Sequence, residues 1–261
     1  MKSIASLLSA AALGAAMLLS PGVAHAAAPN YVALGDSYAS GVGTRTYISS
    51  SGSCQRSVKA YPYIDAARIG ANLTFVACSG ARVADVTANQ LPSVTSAANL
   101  VSVQVGGNDA GFSSVITECA KPSWLGDCTG AVANARAIIN NTLPGRLNTL
   151  YASIKSRAAS ARVVVVGYPR LFNGTDCNAG TFFSPDEMTR LNGTADLLNA
   201  KIAASANAAG FTFVNPTSLF IGHAVCGSPE WINGLSNPVS ESYHPNVTGH
   251  ANFANLVQPA L

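Results

Sequence analysis

Charged side chains are scarce in this sequence, since only 10% of its 261 residues are Asp, Glu, Lys or Arg. The formal net charge is +3, and the basic residues are spread along the chain rather than gathered into a block. Binding to nucleic acid or to an anionic membrane surface needs a concentrated basic patch. The charge pattern therefore argues against nucleic acid as a partner.

Long apolar runs are also missing, except at the amino terminus. There a lysine at the second position precedes the apolar stretch Ile4–Leu19, and small residues follow up to Ala28. This is the pattern of a secretory signal peptide, which is too short and wrongly flanked for a stable membrane span. We expect a leader over residues 1–28, cleaved after Ala26 or Ala28, and one domain over residues 29–261. The mature protein should be secreted (extracellular), without stable membrane insertion.

No Cys-x-x-Cys pair is present and the four histidines are scattered, so the sequence does not indicate a zinc site. Six cysteines follow the leader. An even number in an exported protein indicates structural disulfides formed in an oxidising compartment. Sequence alone leaves open which cysteines pair. Loop geometry favours the sequential set Cys54–Cys78, Cys119–Cys128 and Cys177–Cys226.

Five short, mostly continuous apolar runs alternate with helical segments. Such runs are typical of parallel strands that are covered on both faces. The alternation predicts one three-layer α/β/α domain with a central, mostly parallel five-stranded sheet. The expected strands are Tyr31–Leu34, Leu73–Ala77, Leu100–Val105, Arg162–Gly167 and Phe211–Val214. Long loops should surround one end of the sheet, at Thr44–Gln55, Ala110–Gly130 and Phe172–Phe183.

The clearest helix start is Ser184, because Pro185 suits the first helical position and Glu187 completes a capping box. Apolar residues then recur at spacings of three and four, which indicates one buried stripe. The stripe consists of Met188, Leu191, Ala195, Leu198 and Ile202. We expect it to pack in the core.

The segment Gly35-Asp36-Ser37 follows the first expected strand directly. Parallel sheets bind ligands at the carboxyl ends of their strands, and the glycine permits a sharp turn there. Ser37 is therefore well placed for a nucleophile that needs backbone N–H groups beside it. Taken alone, this segment is also compatible with a turn that only reverses the chain and has no catalytic role.

Three further segments carry chemical groups to the same edge of the sheet. Gly80 follows the second expected strand with an exposed backbone N–H, and Asn108 follows the third behind two glycines. His244 precedes Pro245, which suits the first position of the last helix. A serine, a histidine and two hydrogen-bond donors are the groups that acyl transfer needs as nucleophile, general base and oxyanion hole.

These segments resemble the four sequence blocks of the GDSL-type hydrolases of the SGNH group: Gly35-Asp36-Ser37, Gly80, Gly106-Gly107-Asn108-Asp109 and Ser242-Tyr243-His244-Pro245-Asn246. The blocks occur in the family's order and span residues 32–250. The resemblance implies the flavodoxin-like SGNH hydrolase fold, with Ser37 as nucleophile and His244 as base. It also implies an oxyanion hole made by the N–H groups of Ser37 and Gly80 and the Asn108 side chain. Secreted actinobacterial lipases and esterases of this group have three sequential disulfides, which supports the pairing given above.

One position departs from the broader family, which has an Asp three residues before its histidine to orient the imidazole. Here Glu241 stands at that position. In the actinobacterial branch a main-chain carbonyl orients the histidine instead, and the matching carbonyl belongs to Ser242. We therefore favour a Ser37–His244 dyad held by the Ser242 carbonyl over a triad that uses Glu241. A carbonyl fixes the ring tautomer because it accepts the Nδ1 proton.

Other candidate residues have structural interpretations. We expect Asp36 to hydrogen-bond its own turn, and His223 and His250 to be structural because no motif surrounds them. Four aromatic residues lie in or near the expected rim loops and either line an acyl pocket or pack against those loops, the interpretation that we favour. They are Trp124, Phe182, Phe183 and Trp231.

The resemblance implies a secreted lipase or esterase that cleaves carboxylic esters of acyl chains through an acyl-enzyme on Ser37. The alternatives are a phospholipase A-type activity or a carbohydrate acetylesterase activity on the same site, and a non-catalytic binding protein. Acyl transfer by these groups requires no cofactor and no metal. The expected partner is a small-molecule or lipid ester substrate, and the protein is expected to be a monomer.

Overall fold

The computed structural model describes residues 27–261. The predicted signal peptide lies outside the described residues, apart from Ala27 and Ala28 at its end. The boundary between leader and domain therefore stays a prediction. Over the described range, every helix is too short or too polar to cross a membrane.

A five-stranded sheet forms the centre of residues 27–261, with strand order β2-β1-β3-β4-β5 and every neighbouring pair parallel. Each strand begins and ends within two residues of its predicted limits: Asn30–Gly35 (β1), Asn72–Phe75 (β2), Leu100–Gln104 (β3), Arg162–Val166 (β4) and Thr212–Val214 (β5). The chain adds β2 on one side of β1 and β3 on the other, so the strand order reverses there. Such a reversal opens a crevice beyond the carboxyl ends of β1 and β3.

Helices cover both faces of this sheet. They are Ser37–Ser40 (α1), Tyr61–Ile69 (α2), Val83–Asp85 (α3), Phe112–Ala120 (α4), Cys128–Asn141 (α5), Leu143–Arg157 (α6), Pro185–Ala209 (α7) and Val247–Val257 (α8). Val32 and Leu34 of β1 pack with α6 and the carboxyl half of α7 on one face. Tyr31 and Ala33 point the other way and pack with Ala66 of α2, beside which α8 lies. The three-layer α/β/α fold is confirmed, and its sheet is wholly rather than mostly parallel.

The long helix α7 begins where its sequence predicts. The Ser184 hydroxyl accepts a hydrogen bond from the Glu187 N–H, and the Glu187 carboxylate accepts one from the Ser184 N–H at 2.8 Å. This reciprocal cap satisfies two backbone donors that a helix start leaves free. The predicted stripe is buried apart from Ala195, which is half-buried.

The expected loop Ala110–Gly130 is wrong in its first half, where α4 forms. Val115, Ile116 and Cys119 recur at helical spacing and are buried, so packing of this face stabilises the helix. That spacing was present in the sequence and is the signal that the prediction missed. The expected loop Thr44–Gln55 also contains a 3₁₀ turn, Ser49–Cys54.

The expected start of the last helix at Pro245 is wrong by two residues, since α8 begins at Val247. Asn246 is its cap, because the side-chain oxygen of Asn246 accepts from the Gly249 N–H at 3.0 Å. An Asn side chain can accept from a free backbone N–H at the helix start, whereas the side chain of Pro245 has no hydrogen-bond acceptor. The His244 backbone therefore lies in the preceding loop.

The six cysteines form the sequential disulfides that loop geometry favoured: Cys54–Cys78, Cys119–Cys128 and Cys177–Cys226. The first of them ties the loop after α1 to the turn after β2. In the same place the Ser79 N–H donates to the Cys54 carbonyl oxygen at 3.1 Å. The second disulfide joins α4 to α5. Cys54–Cys78 is thus the covalent restraint nearest to Gly80.

We expect the double variant Cys54→Ser/Cys78→Ser to lower the free energy of unfolding by about 3 kcal/mol, because the disulfide closes a loop with a sequence separation of 24 residues. Amide hydrogen exchange at residues 79–83 should also accelerate, since this turn loses its anchor. Denaturant unfolding and exchange measured by mass spectrometry check the two effects. The control Cys119→Ser/Cys128→Ser should lose a similar free energy yet keep slow exchange at residues 79–83. Equal exchange in both variants would contradict a local role.

Candidate active site

The turn after β1 positions Ser37. At Gly35 the φ angle is +145°, and a Cβ there would collide with the Gln104 carbonyl oxygen of β3, so only glycine fits. The Gln90 side chain brackets this glycine, accepting from its N–H at 2.8 Å and donating to its carbonyl oxygen at 2.9 Å. Asp36 caps α1, as expected, by accepting from the Tyr38 N–H at 3.0 Å. Ser37 thereby becomes the first residue of α1, at the mouth of the crevice.

The loop before α8 brings His244 onto this serine. Tyr243 adopts φ +60°, a conformation that non-glycine residues seldom take outside functional or constrained sites. The turn folds the imidazole back, so that His244 Nδ1 lies 2.9 Å from the Ser242 carbonyl oxygen. His244 Nε2 lies 2.8 Å from Ser37 Oγ. Both side chains are buried, each in a residue that is 7% exposed.

The environment of His244 favours its neutral form. Burial lowers the pKa of His244 to about 4, against the opposing effects of the Ser242 carbonyl and the negative charge of Glu241. With Nδ1 donating to the Ser242 carbonyl, the neutral ring carries its lone pair on Nε2. The lone pair then faces the Ser37 hydroxyl. A serine paired with an unprotonated imidazole is the arrangement that general-base catalysis requires.

Glu241 is buried and binds the loop that follows α1. Its carboxylate accepts from Arg45 Nε at 2.9 Å and from the Tyr47 hydroxyl at 2.7 Å. Each carboxylate oxygen of Glu241 therefore binds the Arg45–Tyr47 segment, and His244 binds the Ser242 carbonyl instead. Burial, reinforced by the bond to Glu241, raises the pKa of Tyr47 to about 12. Arg45 and Tyr47 were missed by sequence reasoning, because no local pattern marks a contact across nearly two hundred residues.

Hydrogen-bond donors lie on the turns that follow β1, β2 and β3. Among the hydrogen bonds of residues 27–261, the N–H groups of Ser37 and Gly80 have no acceptor. Asn108 donates one Nδ2 hydrogen to the Ala81 carbonyl oxygen at 3.1 Å, which ties the turn after β3 to the turn after β2. Its second Nδ2 hydrogen stays available. These donors can bind an oxygen that becomes negatively charged.

Asp109 anchors the turn that carries Asn108. One carboxylate oxygen accepts from Arg146 of α6 at 2.8 Å, and the other accepts from the Val83 N–H at the start of α3 at 2.9 Å. Asp109 is 7% exposed, so these bonds operate in a largely desolvated place. The side chain of Asn108 is therefore carried by a turn that is held from two directions.

Tyr168, which follows β4, is a second contributor that sequence reasoning missed. Its hydroxyl donates to Asp36 Oδ2 at 2.5 Å and accepts from the Gly107 N–H at 3.3 Å. Burial raises the pKa of Asp36 to about 7, against the hydrogen bonds from Tyr168 and Tyr38. The buried tyrosine thus connects the turn that bears Ser37 with the turn that bears Asn108.

Two depressions adjoin the reacting side chains. A mostly apolar cavity lies between α4, α5 and α7, with Tyr38, Gly107 and Phe112 at the end near the serine. A more open groove contains Ser242 and His244 and continues toward Phe182. Phe112 and Ile116 line both, so the α4 face forms the wall between the cavity and the groove.

Packing explains four of the remaining candidates. The packing expected for Phe182 and Trp124 is wrong, because these residues are 55% and 79% exposed. Phe183 packs against Phe172 and Tyr243, and Trp231 stacks on His223 at 3.7 Å between ring centroids. His250 is fully buried in α8, on the side of Tyr61 and Phe253. Phe182 reaches the groove, whereas Trp124 is exposed in the loop after α4. Within residues 27–261 no three His, Cys, Asp or Glu side chains converge as a metal site would need.

Known proteins are similar to this chain in sequence and in fold. Residues 33–251 match the GDSL-like Lipase/Acylhydrolase family. A lipase from Streptomyces rimosus is 43% identical over 92% of this chain and 94% of its own. The crystal structure of an extracellular lipase from Streptomyces rimosus superimposes with a TM-score of 0.84 at 44% identity, covering 90% of this chain and all of that one. Phospholipase A1 from Streptomyces albidoflavus gives a TM-score of 0.85 at 40% identity over the same shares.

The family match covers most of the chain, and the Ser37–His244 pair lies inside it. The resemblance inferred from the four sequence blocks is therefore confirmed. Esters of carboxylic acids are the substrates on which such lipases act, which agrees with a serine paired to a neutral histidine. This chain is a carboxylic ester hydrolase that belongs to the GDSL-like lipase/acylhydrolase family.

Proposed function

We propose that Ser37 is the nucleophile and His244 the general base of a lipase or esterase that works through an acyl-enzyme. The observation that carries this proposal is the 2.8 Å contact between His244 Nε2 and Ser37 Oγ, with Nδ1 bound to a carbonyl oxygen. The Ser242 carbonyl orients the ring, so the pair works as a dyad. The N–H groups of Ser37 and Gly80 and the Asn108 side chain form the oxyanion hole.

In the first half-reaction Ser37 Oγ attacks the ester carbonyl carbon, and its proton passes to His244 Nε2. The carbonyl electron pair moves onto oxygen, and the oxyanion hole stabilises that charge. When this electron pair returns from the oxyanion and the C=O bond forms again, the bond between the carbon and the alcohol oxygen breaks. The alcohol oxygen then takes the proton from His244 Nε2. The acyl group is left on Ser37 and the alcohol leaves.

In the second half-reaction water replaces the alcohol. Its proton passes to His244 Nε2 while its oxygen attacks the acyl carbon, which again forms an oxyanion. Breakdown of this intermediate releases the carboxylic acid, and Ser37 Oγ recovers its proton from Nε2. The low pKa of His244, about 4, keeps the base unprotonated between turnovers at neutral pH.

The apolar cavity supports an acyl chain as the group that enters the site. Tyr38 and Phe112, whose rings lie beside His244, line this cavity together with Leu191, Ala195 and Leu198 of α7. Burying methylene groups there gives roughly 0.8 kcal/mol for each. A carbohydrate acetylesterase would have no use for such a cavity, since an acetyl group ends at its first methyl carbon.

The rim of the groove supports lipid esters as the natural substrates. Phe182, Leu235 and Val239 line this groove and are 55%, 41% and 71% exposed. Exposed apolar side chains that gather at one place mark binding surfaces for apolar partners.

A phospholipase A-type activity is the second candidate, favoured by the 40% identity to a phospholipase A1. Three disulfides and the similarity to an extracellular lipase support export of the protein. We propose that it acts as a monomer.

The central test replaces the two reacting residues. Ser37→Ala should lower kcat for a soluble p-nitrophenyl ester by a factor on the order of 10⁶, and His244→Ala by a similar factor, because neither half-reaction proceeds without them. A fluorophosphonate should label the wild type and not Ser37→Ala. Ser240→Ala is the control, since this exposed serine lines the same groove. Wild-type turnover in either reacting-residue variant would refute the assignment.

Replacing Glu241 separates a dyad from a triad. Glu241→Gln should cost less than about tenfold in turnover, because the Ser242 carbonyl orients His244, whereas losing a triad carboxylate costs about 10⁴-fold. Turnover measured at several pH values distinguishes a lost orienting group from a shifted pKa of His244. Tyr47→Phe is the matched control, since it removes one bond of the same carboxylate. A thousand-fold loss at every pH for Glu241→Gln alone would favour the triad.

Filling the cavity should shorten the acyl chains that the enzyme accepts. Ala195→Leu places three extra carbons in the cavity wall, so we expect kcat/KM for long-chain p-nitrophenyl esters to fall by about 10- to 100-fold relative to the butyrate ester. Ala200→Leu is the matched control, because Ala200 lies on the same helix and is exposed. An unchanged chain-length profile in Ala195→Leu would place the acyl chain outside this cavity.

A further inference from the structure

The groups assigned to the reaction stand on separate strand ends. Ser37 follows β1, Asn108 follows β3, and Gly80 follows β2. Ladder hydrogen bonds hold the strands in register, with Gly35 beside Gln104. The last bond between β1 and β3 runs from the Asp36 N–H to the Gln104 carbonyl oxygen at 3.0 Å, and the turns diverge beyond it. An oxyanion hole needs its donors at hydrogen-bond distance from one oxygen atom. Contacts beyond the strands must therefore fix the spacing of these turns.

The Tyr168 hydroxyl makes such a contact. It donates to Asp36 Oδ2 at 2.5 Å and accepts from the Gly107 N–H at 3.3 Å. Asp36 directly precedes Ser37, and Gly107 directly precedes Asn108. One oxygen atom from the end of β4 thus bridges the residue before the nucleophile and the residue before the side-chain donor. Other hydrogen bonds of these turns go to α3, α6, the turn after β2 and the last residue of β3. The bond to β3 joins Asp36 to Gln104, four residues before Asn108, whereas the Tyr168 bridge reaches the residue next to Asn108.

Tyr168 is itself held firmly. Asn199 of α7 accepts from the Tyr168 N–H at 2.8 Å and donates to its carbonyl oxygen at 2.7 Å. The Tyr38 ring meets the Tyr168 ring edge-on, with centroids 5.2 Å apart. A Cβ built on Gly107 would lie 3.5 Å from the Tyr168 ring, so this backbone lies close to the hydroxyl end of the tyrosine. With Tyr168 6% exposed, the bridge has little room to shift.

We propose that Tyr168 is a positioning residue, whose hydroxyl sets the separation between the nucleophile turn at Ser37 and the oxyanion turn at Asn108. The inference rests on the proposed roles of these two residues. Tyr168 need not touch the substrate for this role, since it acts through the backbone before each of them. Its loss should raise the energy of the transition state, where the oxyanion has formed, more than that of the bound ester.

The test is a double-mutant cycle between Tyr168→Phe and Asn108→Ala on a soluble short-chain ester. Phenylalanine keeps the ring that lines the cavity and removes only the bridging oxygen. We expect Tyr168→Phe to lower kcat by about 10- to 100-fold with KM unchanged, the scale of a small misplacement of reacting groups. Asn108→Ala should lower kcat by about 10²- to 10³-fold. In the Asn108→Ala background, Tyr168→Phe should cost less than about twofold further.

Tyr151→Phe is the matched control, because Tyr151 is also buried and its hydroxyl has no hydrogen-bond partner within residues 27–261. It should keep wild-type kcat. Three outcomes would overturn the proposal. The losses in kcat could multiply in the double variant, Tyr168→Phe could raise KM instead of lowering kcat, or Tyr151→Phe could lower kcat equally. If Asn108→Ala alone leaves kcat intact, the proposed oxyanion role of Asn108 fails instead, whatever Tyr168→Phe does.

Thermal unfolding shows whether each variant folds. Should Tyr168→Phe fail to fold, Asp36→Asn provides the same test from the other end of the bridge. Its amide oxygen can still cap the Tyr38 N–H, while its amide nitrogen can no longer accept from the Tyr168 hydroxyl. We expect a smaller loss in kcat, about tenfold, that again nearly disappears in the Asn108→Ala background. A loss that multiplies with Asn108→Ala would overturn the proposal here too.

Discussion

The hydrogen bond between His244 Nε2 and Ser37 Oγ is the interaction on which the other features of the site depend. It is 2.8 Å long and joins residues separated by 207 positions in the sequence. The strands hold one partner at the end of β1, whereas an irregular loop before α8 supplies the other. Tyr38 strengthens this junction, since its hydroxyl donates to the Tyr243 carbonyl oxygen at 2.6 Å. Tyr38, which follows Ser37, thereby restrains Tyr243, which precedes His244.

In the proposed dyad, the orientation of His244 by a neutral carbonyl has an electrostatic consequence. A carboxylate beside the ring would stabilise the imidazolium that forms during each proton transfer, and a carbonyl dipole does so less. Burial lowers the pKa of His244 further, so the protonated ring is a high-energy species. In the proposed mechanism the oxyanion carries the compensating negative charge. Good geometry in the oxyanion hole therefore matters more here than in a site with a buried triad acid.

Sequence reasoning predicted the parts of this protein that leave local patterns. The apolar runs located all five strands, and the Ser184 cap located the start of α7. Two of the four family sequence blocks marked the turns that bear Ser37 and His244. Contacts between distant residues leave no such pattern, so the Tyr168 bridge and the binding of Glu241 by Arg45 and Tyr47 became visible only in the structure. The missed helix α4 shows a different failure, because its apolar spacing was readable but was assigned to a loop.

In the proposed mechanism, the distance in sequence between Ser37 and His244 also determines when the chain can become active. Ser37 is synthesised 207 residues before His244, which lies just ahead of α8. Contacts this far apart form late and slow the folding of a chain, because a long loop must close first. An unfinished or carboxyl-terminally truncated polypeptide carries its serine without a base. In the proposed mechanism, ester cleavage therefore becomes possible only after all residues from Ser37 to His244 have been made and folded.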